Sequence, residues 1–383
     1  MRVLILNYEF PPLGGGAANA CYYIVTELAT RNICVDLVTS SATNTFELEN
    51  IGKTANIYRL SIGKKAIHYW TQREILTYSW KARFFIKKLL AQNQYDLCHA
   101  FFGIPCGAIA YLFRKQMPYI VSLRGSDVPG FNKRFSFQYV FLKPVIKRVW
   151  HNSYAVIANS LGLKELAQRT SSSCDIGVIY NGIDTKQFKP AEKNSKSKLR
   201  ILCVSRLIQR KGVESLIKAL AGLKEDFGDT FDVLIVGEGN LEQELKQLAI
   251  KLGLAETIAF TGYVEHSELP DIYASSDIFV LPSLSEGMSN TVLEAMACGL
   301  PIITTDTGGS NELINGNGVI LTSTDPDTIA LALRELIGSS ELRVSMSNRS
   351  RELAEKFSWS NVATEYLRIY EEMTGQSDKN ESK

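Results

Sequence analysis

Short apolar runs alternate along the whole chain with stretches whose apolar residues are spaced for one face of a helix. Residues 2–7 (RVLILN) and 199–205 (LRILCVS) open two such series, and a helical stretch and a further apolar run follow each of them. Strands that alternate with helices form parallel sheets, and two series of them indicate two Rossmann-like units. The pattern therefore predicts an α/β protein with two parallel-sheet domains.

A polar stretch at 190–198 (PAEKNSKSK) separates the two series and predicts a linker. We therefore expect an N-terminal domain at 1–189 and a C-terminal domain at 190–357. A last helix at 358–376 carries apolar or aromatic residues at Val362, Tyr366, Ile369, Tyr370 and Met373. The polar residues 377–383 predict a disordered tail.

Composition is that of an ordinary soluble globular protein, because 45% of the 383 residues are apolar and 21% are charged. No run of 18 apolar residues occurs, so we do not expect the chain to cross a membrane. The seven cysteines form no CxxC pair, and most of them lie in apolar runs. They predict reduced, buried thiols in a cytoplasmic protein rather than a disulfide framework or a metal site.

The net charge of +2 hides an asymmetry between the two halves. Residues 1–190 hold 23 Lys and Arg against 11 Asp and Glu, whereas residues 191–383 hold 19 against 29. A basic N-terminal half predicts an anionic partner there, such as an acidic membrane surface, a lipid phosphate or nucleic acid. No nucleic-acid-binding motif accompanies the charge, and the acidic half would repel a phosphate backbone, so we expect no nucleic-acid partner.

The basic charge is densest between Lys53 and Lys88, where nine Lys and Arg face one acid, Glu74. Aromatic residues and a histidine are interleaved with them, namely His68, Tyr69, Trp70, Tyr78, Trp80, Phe84 and Phe85. A basic amphipathic helix with aromatic residues predicts peripheral contact with an anionic membrane, on the inner face of the cytoplasmic membrane. The alternative is a solvated basic helix whose aromatic residues pack on its own domain.

Two glutamates, Glu286 and Glu294, lie in the segment SEGMSNTVLEAMACGLP. Glu286 precedes a helix that starts near Ser289 or Asn290, and Glu294 lies in the first turns of that helix. The backbone N–H groups of Ser289, Asn290 and Thr291 point out of the helix N-terminus, which favours an anion. Carboxylates that accept hydrogen bonds from hydroxyls, beside a phosphate site, describe a receptor for a sugar nucleotide.

Cations for a diphosphate follow the first strand of the C-terminal domain. Arg206 and Lys211 lie in the loop SRLIQRKG, where an arginine can bind phosphate oxygens bidentately and a lysine acts as a point charge. Asp325-Pro326-Asp327 is the one D-x-D motif, and it reads as a helix start rather than a metal site. We therefore expect no metal ion and no cofactor.

Together these segments resemble the donor-site signature of the family 4 retaining glycosyltransferases. That resemblance implies the GT-B fold, in which two Rossmann-like domains face across a cleft and a C-terminal helix crosses back to the N-terminal domain. It places Glu286 near the transferred sugar, Glu294 on the ribose hydroxyls, and Arg206 and Lys211 on the pyrophosphate. The expected donor-binding residues further include Gly15, Gly16, Gly237, Val264, Gly287, Met288, Ser289, Asn290 and Thr291.

The glycine run Gly14–Gly16 follows the first strand and precedes a helix, so its backbone can approach a negative group closely. The run does not match GxGxxG, the phosphate-binding motif of dinucleotide-binding enzymes. Asp36 also lies inside the second strand, whereas an NAD enzyme has its acidic residue at the end of that strand. Both features argue against an NAD enzyme. The family resemblance implies that Gly15 and Gly16 reach the donor phosphates. Gly237 is expected near the nucleobase, with Val264 as a neighbour.

Polar residues at predicted strand ends of the N-terminal domain are candidates for catalysis and acceptor binding. Many family members carry a histidine where this chain has Arg124, in a pattern like His-Gly-x-Asp that ends here at Asp127. Arg124 can stabilise charge but cannot act as a general base, because an arginine remains protonated. His99 and Asn159 are expected on the acceptor side, although a buried structural role is the alternative for His99.

The resemblance implies transfer of a hexose or N-acetylhexosamine, with retention, from a UDP-sugar or a GDP-sugar, the former being expected from family frequency. The acceptor would be a glycan, a lipid-linked sugar or a small molecule. The predicted catalytic residues are Glu286, Arg124 and Asp127. Other enzymes with this fold, a sugar-nucleotide epimerase or a phosphorylase, are alternatives, and so is a basic binding protein without enzymatic activity.

Overall fold

The structure is a computed structural model, and it describes residues 1–43, 45–67, 69–131, 136–191, 198–286, 288–307 and 309–375. The chain divides into two compact units. Unit 1 comprises Met1–Asn181 together with the C-terminal segment that begins at Trp359, and unit 2 comprises Gly182–Ser358.

Unit 1 begins with alternating strands and helices. In chain order they are β1 (Arg2–Leu6), α1 (Gly16–Thr30), β2 (Cys34–Ser40), β3 (Glu47–Ile51), β4 (Ala55–Leu60), α2 (Gln72–Gln92), β5 (Leu97–Phe101), α3 (Ala108–Leu112), β6 (Tyr119–Ser122), α4 (Ser136–His151), β7 (Ala155–Ala158), α5 (Leu161–Gln168) and β8 (Ile176–Val178). The strands form one sheet in the order β3-β4-β2-β1-β5-β6-β7-β8.

One edge strand departs from the parallel sheet that the sequence predicts. β3 pairs antiparallel with β4, with Ile51 opposite Ala55, whereas the other neighbours pair in parallel. The short turn between β3 and β4, where Gly52 has a φ of +60°, is the cause. A tight turn can join only antiparallel strands, since a parallel pair needs a long crossover.

Unit 2 has the same plan with every strand parallel. Its elements are β9 (Leu199–Val204), α6 (Val213–Phe227), β10 (Phe231–Val236), α7 (Glu242–Lys251), β11 (Ile258–Gly262), α8 (Leu269–Ala274), β12 (Ile278–Leu281), α9 (Asn290–Ala297), β13 (Ile302–Thr305), α10 (Ser310–Leu313), β14 (Gly318–Leu321), α11 (Pro326–Gly338) and α12 (Ser340–Lys356). The strand order is β11-β10-β9-β12-β13-β14. Because the central strands β9, β10 and β12 run in parallel, their following loops meet at one edge of the sheet.

The division between the units lies after Asn181, which is earlier than the boundary predicted after residue 189. The segment that begins at Gly182 is held by unit 2. The backbone N–H of Ile183 donates to Phe357 O at 2.7 Å, and Arg351 Nη1 donates to Phe188 O at 3.0 Å. Most of the linker predicted at 190–198 lies outside the described residues.

The last helix, α13 (Trp359–Thr374), belongs to unit 1. Of its apolar residues, Val362, Tyr366 and Tyr370 are buried, whereas Ile369 and Met373 are partly buried. Tyr370 Oη lies 2.6 Å from His99 Nδ1, and Tyr366 Oη lies 2.9 Å from Ser122 Oγ. At its start the ring of Trp359 stacks on Tyr23. The tail predicted to be disordered, 377–383, lies outside the described residues.

All seven cysteines are described, and none is paired. Six are buried and Cys34 is exposed. Among the residues that the structure describes, no helix is both long and apolar enough to span a bilayer.

Candidate active site

Three glycines allow the loops that follow β9, β10 and β12 to pack closely against one another. A Cβ on Gly237 would lie 2.0 Å from Ser205 O, one on Gly239 would lie 2.2 Å from Leu207 O, and one on Gly212 would lie 2.0 Å from Pro282 O. Gly237 and Gly212 also have positive φ values, +127° and +68°, which side chains rarely adopt. Any residue with a Cβ would collide with the neighbouring backbone at these three positions. The glycines therefore permit the contact between the three loops.

This packing pairs two predicted site residues. The Lys211 ammonium bonds to Glu286 Oε1, and the two side chains are only 11% and 12% exposed. Arg210 fixes the same loop, because its Nη1 donates to Ser285 O at 3.1 Å and its carbonyl accepts from Leu284 N at 2.8 Å. The lysine predicted for the diphosphate is therefore paired with the carboxylate predicted for the sugar.

Arg206 differs from Lys211 in its surroundings. Its side chain is exposed, and it forms no hydrogen bond or ion pair with any residue in the described part of the chain. It lies two residues after Val204, where β9 ends, at the same sheet edge as Lys211. Gly287, which was predicted to bind the donor, lies outside the described residues.

Helix α9 begins at Asn290, with Ser289 as the N-cap residue. Ser289 Oγ lies 3.2 Å from Thr291 Oγ1, and Met288 is buried beside them. The first turn of a helix carries backbone N–H groups without intrahelical partners, together with the positive end of the helix dipole. The turn that follows Glu286 is therefore suited to a negative group.

Glu294 is held by two side chains that the sequence reading missed. Its Oε2 accepts from the Tyr273 hydroxyl at 2.8 Å, and its Oε1 lies 3.3 Å from His266 Nε2. The hydrogen bond to Glu294 raises the pKa of His266 against the opposing effect of burial. Burial, followed by the charge of Glu294, raises the pKa of Tyr273 well above its ordinary value. His266 lies in the loop after β11, and that strand-end position is the one signal that could have indicated it.

We expect His266 to make the stability of unit 2 depend on pH. Because its pKa is raised in the folded protein, its contribution is fully present below the ordinary histidine value of about 6.5 and is lost as the pH rises through the raised pKa. The difference in melting temperature between the wild type and His266→Gln should therefore shrink as the pH increases. A difference that stays constant across this range would show that the His266–Glu294 contact does not stabilise the fold; the side chain is 40% exposed, so the effect should be modest.

The loops after β10 and β11 lie side by side, since Gly237 N donates to Gly262 O at 2.8 Å. Tyr263 is 54% exposed there, and Val264 is partly buried. These are the two loops that the sequence assigned to the nucleobase. An exposed ring beside a glycine loop is suited to contact with a planar base.

In unit 1 the glycine run lies over a carboxyl group that the sequence reading missed. α1 begins at Gly16, Gly14 has a φ of +95°, and a Cβ on Gly14 would lie 2.7 Å from Glu9 Oε2. Burial raises the pKa of Glu9 to about 7, although Tyr8, the Gly15 N–H and Lys64 oppose the shift. The backbone of Gly15, predicted to reach a donor phosphate, already serves the side chain of Glu9 in this structure.

A buried polar network connects β5, β6 and α13. His99 is fully buried between Tyr370 and Ser122, whose Oγ lies 2.7 Å from His99 Nε2. Burial, followed by the charge of Arg124, lowers the pKa of His99 well below its ordinary value, so the ring is neutral. The structure thus shows the buried, hydrogen-bonded histidine that was the alternative to an acceptor-side role.

Arg124 and Asp127 lie in the loop after β6. Arg124 Nη1 donates to Asn181 Oδ1 at 2.9 Å, and the guanidinium lies 4.6 Å from the centre of the Phe101 ring. Asp127 accepts from Gly103 N at 2.7 Å and from Arg124 N at 2.9 Å, while burial raises the pKa of its carboxyl group. Asp127 therefore connects the loop that carries Arg124 to Gly103, which follows β5.

Asn159 follows β7 and is nearly buried. Its Oδ1 has no hydrogen-bond partner among the described residues. A buried amide oxygen without a partner costs free energy, so a ligand or water that donates to it is expected. This oxygen keeps Asn159 a candidate for the acceptor side.

The basic segment Lys53–Lys88 is divided by the fold. Lys64 is buried and bonds to Glu74 Oε2 at 3.2 Å, and Arg59 pairs with Glu49 at 2.8 Å. The cations that remain exposed are Lys53, Lys65, Arg73, Arg83, Lys87 and Lys88. Among the aromatic residues, Tyr78 is buried, Trp70 and Phe85 are partly buried, and Tyr69, Trp80 and Phe84 are exposed; His68 lies outside the described residues.

Asp325 caps α11, since its carboxylate accepts from Asp327 N at 2.9 Å. The D-x-D motif is thus the helix start that the sequence predicted.

Comparison with known proteins shows which family the chain is similar to. Residues 14–187 match the family model described as Glycosyltransferase Family 4, and residues 184–353 match the one described as Glycosyl transferases group 1. An uncharacterized glycosyltransferase of Methanocaldococcus jannaschii is 28% identical over an alignment of 403 positions, which covers 98% of this chain and 100% of the relative.

The chain is also similar to a relative whose activity is named and to a solved structure with the same fold. A GDP-mannose-dependent alpha-(1-6)-phosphatidylinositol monomannoside mannosyltransferase of Mycobacterium tuberculosis is 29% identical over 241 residues, 58% of this chain and 62% of the relative. The structure of sucrose-phosphate synthase from Thermosynechococcus elongatus has a TM-score of 0.85 at 20% identity, covering 98% of this chain and 99% of that one. The two family models together with these similarities show that the chain belongs to glycosyltransferase family 4 and is a glycosyltransferase with the predicted GT-B fold.

Proposed function

We propose that the protein is a retaining glycosyltransferase that moves a hexose or N-acetylhexosamine from a nucleoside diphosphate sugar, within cell-envelope polysaccharide or glycoconjugate synthesis. One observation carries the proposal. A single edge of the unit 2 sheet gathers an exposed arginine, a paired lysine and carboxylate, a helix N-terminus and a second, buried carboxylate. These are the groups that a diphosphate, a sugar and a ribose each require.

The diphosphate is bound by Arg206 and Lys211 in this proposal. A diphosphate oxygen that bonds to the Lys211 ammonium competes with Glu286 for it. Once released, the Glu286 carboxylate can accept hydrogen bonds from the hydroxyls of the transferred sugar. Glu294, oriented by Tyr273 and His266, accepts from the ribose hydroxyls.

In the chemical step the protein chiefly positions the donor and the acceptor and stabilises the charge that develops on the leaving diphosphate. In a same-face displacement the bond from the anomeric carbon to the diphosphate oxygen breaks, and the acceptor oxygen bonds to the same face of that carbon. The acceptor proton passes to the leaving diphosphate. No protein nucleophile is required, and two protein cations take the place of a divalent metal ion on the diphosphate.

A panel of radiolabelled nucleotide sugars tests this proposal. We expect slow, acceptor-independent hydrolysis of one UDP-hexose or UDP-N-acetylhexosamine, because water can replace the acceptor in the site. The free sugar should carry the anomeric configuration of the donor, as read by proton NMR at early times. GDP-mannose is the second donor to test, since the M. tuberculosis relative is named as GDP-mannose-dependent.

The same panel separates the alternatives. An epimerase would return a sugar changed at a ring carbon, and a phosphorylase would need inorganic phosphate. Failure of every UDP-sugar and GDP-sugar to react, with the protein folded, would contradict the proposed donor class.

We also propose that unit 1 contacts an anionic membrane surface on the cytoplasmic side through the Lys53–Lys88 segment. The six cations of this segment that remain exposed support the contact, whereas Lys64 and Arg59 are engaged in ion pairs. Each engaged Lys or Arg contributes about 1 kcal/mol, and salt screens the attraction. Sedimentation with anionic vesicles that weakens as salt increases, with no comparable binding to RNA or DNA, is the measurement that checks it.

A further inference from the structure

Helices α2 and α4 of unit 1 leave large apolar side chains exposed along one face each. On α2 they recur every fourth residue, and on α4 they lie at positions i, i+3, i+4 and i+8, so each set forms a stripe. The residues are Leu76, Trp80 and Phe84 on α2 and Phe137, Val140, Phe141 and Val145 on α4. Leu76, Phe137 and Phe141 are 70%, 76% and 68% exposed, so the core of unit 1 does not need them.

A groove of two adjoining cavities lies along these stripes. The cavities have volumes of about 430 and 630 Å³ and share Leu76, Ile104, Pro105 and Leu142 as walls. The first is bordered by Phe137 and Phe141, and the second by Trp80 and Val145. Volumes of this size are those of small-molecule sites, and the walls are mostly apolar.

One end of the groove is polar and reaches Asp127, one of the predicted catalytic residues. Tyr8, Ser126 and Asp127 border the first cavity. Tyr8 follows β1, and Ser126 and Asp127 follow β6, so this end lies at the carboxyl edge of the unit 1 sheet. In an open parallel sheet that edge is where ligands bind.

The exposed charges on the two helices that border the groove have one sign, and Asp127 at the polar end is the one acid among the residues that line its two cavities. The exposed cations on the two helices are Arg73, Arg83, Lys87 and Lys88 on α2 and Lys143, Lys147 and Arg148 on α4. The single acid on these helices is Glu74, which is buried and paired with Lys64. An apolar groove with a cationic rim complements a molecule that has a hydrocarbon chain and an anionic head.

We propose that this groove holds the hydrocarbon chain of an anionic membrane lipid that is the acceptor of glycosyl transfer, with the acceptor hydroxyl of the lipid head group at Ser126 and Asp127. The proposal rests on the glycosyltransferase function proposed above and names its acceptor class as a lipid. The lipid's hydroxyl oxygen bonds to the anomeric carbon as the bond to the diphosphate breaks, and its proton leaves with the diphosphate. The cationic rim favours a bilayer lipid over a second copy of this chain, because like charges would meet.

Photocrosslinking in vesicles tests where the chain lies. Full-length protein is mixed with vesicles of phosphatidylcholine and phosphatidylglycerol that contain a phosphatidylglycerol with a diazirine at the end of one acyl chain. We expect mass spectrometry to find the crosslinks in the peptides of α2 and α4. Crosslinks spread over both units, or no binding to these vesicles, would overturn the proposal.

Matched variants distinguish vesicle binding through the groove from nonspecific binding through any exposed apolar residue. Leu76→Asp and Phe141→Asp should each weaken vesicle binding about tenfold, since each places a charge against hydrocarbon. Leu331→Asp is the control, because Leu331 is an apolar residue of similar exposure, 66%, on α11 of unit 2. Lys87→Glu with Lys88→Glu should weaken binding at low salt and matter little at high salt, whereas the effect of Leu76→Asp should persist.

Two readouts distinguish failure of this proposal from failure of the proposed function. Nucleoside diphosphate binding by calorimetry should be unchanged in Leu76→Asp and Phe141→Asp, whose melting temperatures show whether they are folded. Equal vesicle binding by these variants and Leu331→Asp would overturn the groove assignment even if donor hydrolysis is observed. Concentration-dependent self-association that both substitutions abolish would assign the groove to a second copy instead, and would also overturn it.

Discussion

Replacement of Glu294 by alanine is expected to weaken binding of the nucleoside diphosphate by roughly 10- to 150-fold. The ribose hydroxyls would lose a charged acceptor, and a hydrogen bond to a charged group contributes about 1.5–3 kcal/mol. Glu294 is buried and oriented by Tyr273 and His266, so its carboxylate needs little ordering when the ligand binds. Isothermal titration calorimetry with UDP and GDP measures the loss directly.

The same substitution also removes the acceptor of the buried Tyr273 hydroxyl. An unsatisfied buried hydroxyl costs about 1–3 kcal/mol of stability, so Glu294→Ala must be shown to fold before its affinity is interpreted. Glu294→Gln retains an oxygen for Tyr273 and removes the charge. Tyr273→Phe removes the hydroxyl and leaves the carboxylate. If folded Glu294→Ala binds the diphosphate as well as the wild type does, Glu294 is not part of the donor site.

The fold could be predicted from the sequence because both sheets are mostly parallel and buried. Such strands read as continuous apolar runs, as in β7 (AVIA) and β12 (IFVL), and the helices between the strands show a clear amphipathic pattern. β3 (ELENI) lacks this signal, since it is an exposed edge strand that forms only as the partner of β4. Its antiparallel direction follows from a short turn and not from any hydrophobic pattern.

The candidate site could be predicted only where strand ends determine it. The proximity of Lys211 to Glu286 follows from the neighbouring strands β9 and β12, whose loops meet at one edge. Apart from the strand-end position of His266, no local signal indicates the partners of Glu294, because His266 and Tyr273 come from other segments of the chain. Their contact with Glu294 exists only after folding.

Burial of charged residues was the least predictable property. A linear count treats every cation between Lys53 and Lys88 as available to a partner, yet Lys64 and Arg59 form ion pairs with Glu74 and Glu49. His99 lies in the strand LCHAF, and its environment is completed by Tyr370 on the last helix. Neither outcome can be read from neighbouring residues, because each depends on which distant segment packs there.

Lys211→Met is expected to weaken binding of the nucleoside diphosphate by roughly 10- to 150-fold and to affect the nucleoside monophosphate much less. The reason is the loss of the charge that faces the second phosphate. Arg206→Gln should act in the same direction by a smaller factor, because Arg206 is exposed and solvent screens its charge. Calorimetric titrations with UDP and UMP, and with GDP and GMP, give the two ratios.

The ion pair between Lys211 and Glu286 makes a control necessary. Removal of the lysine leaves a nearly buried carboxylate without its cation, which destabilises the free protein and repels the diphosphate. Glu286→Gln, alone and combined with Lys211→Met, separates these effects in a double-mutant cycle. If Lys211 reads the second phosphate, Lys211→Met should still lower the diphosphate-to-monophosphate ratio in the Glu286→Gln background. Equal losses for the monophosphate and the diphosphate there would mean that Lys211 serves the loop and not the ligand.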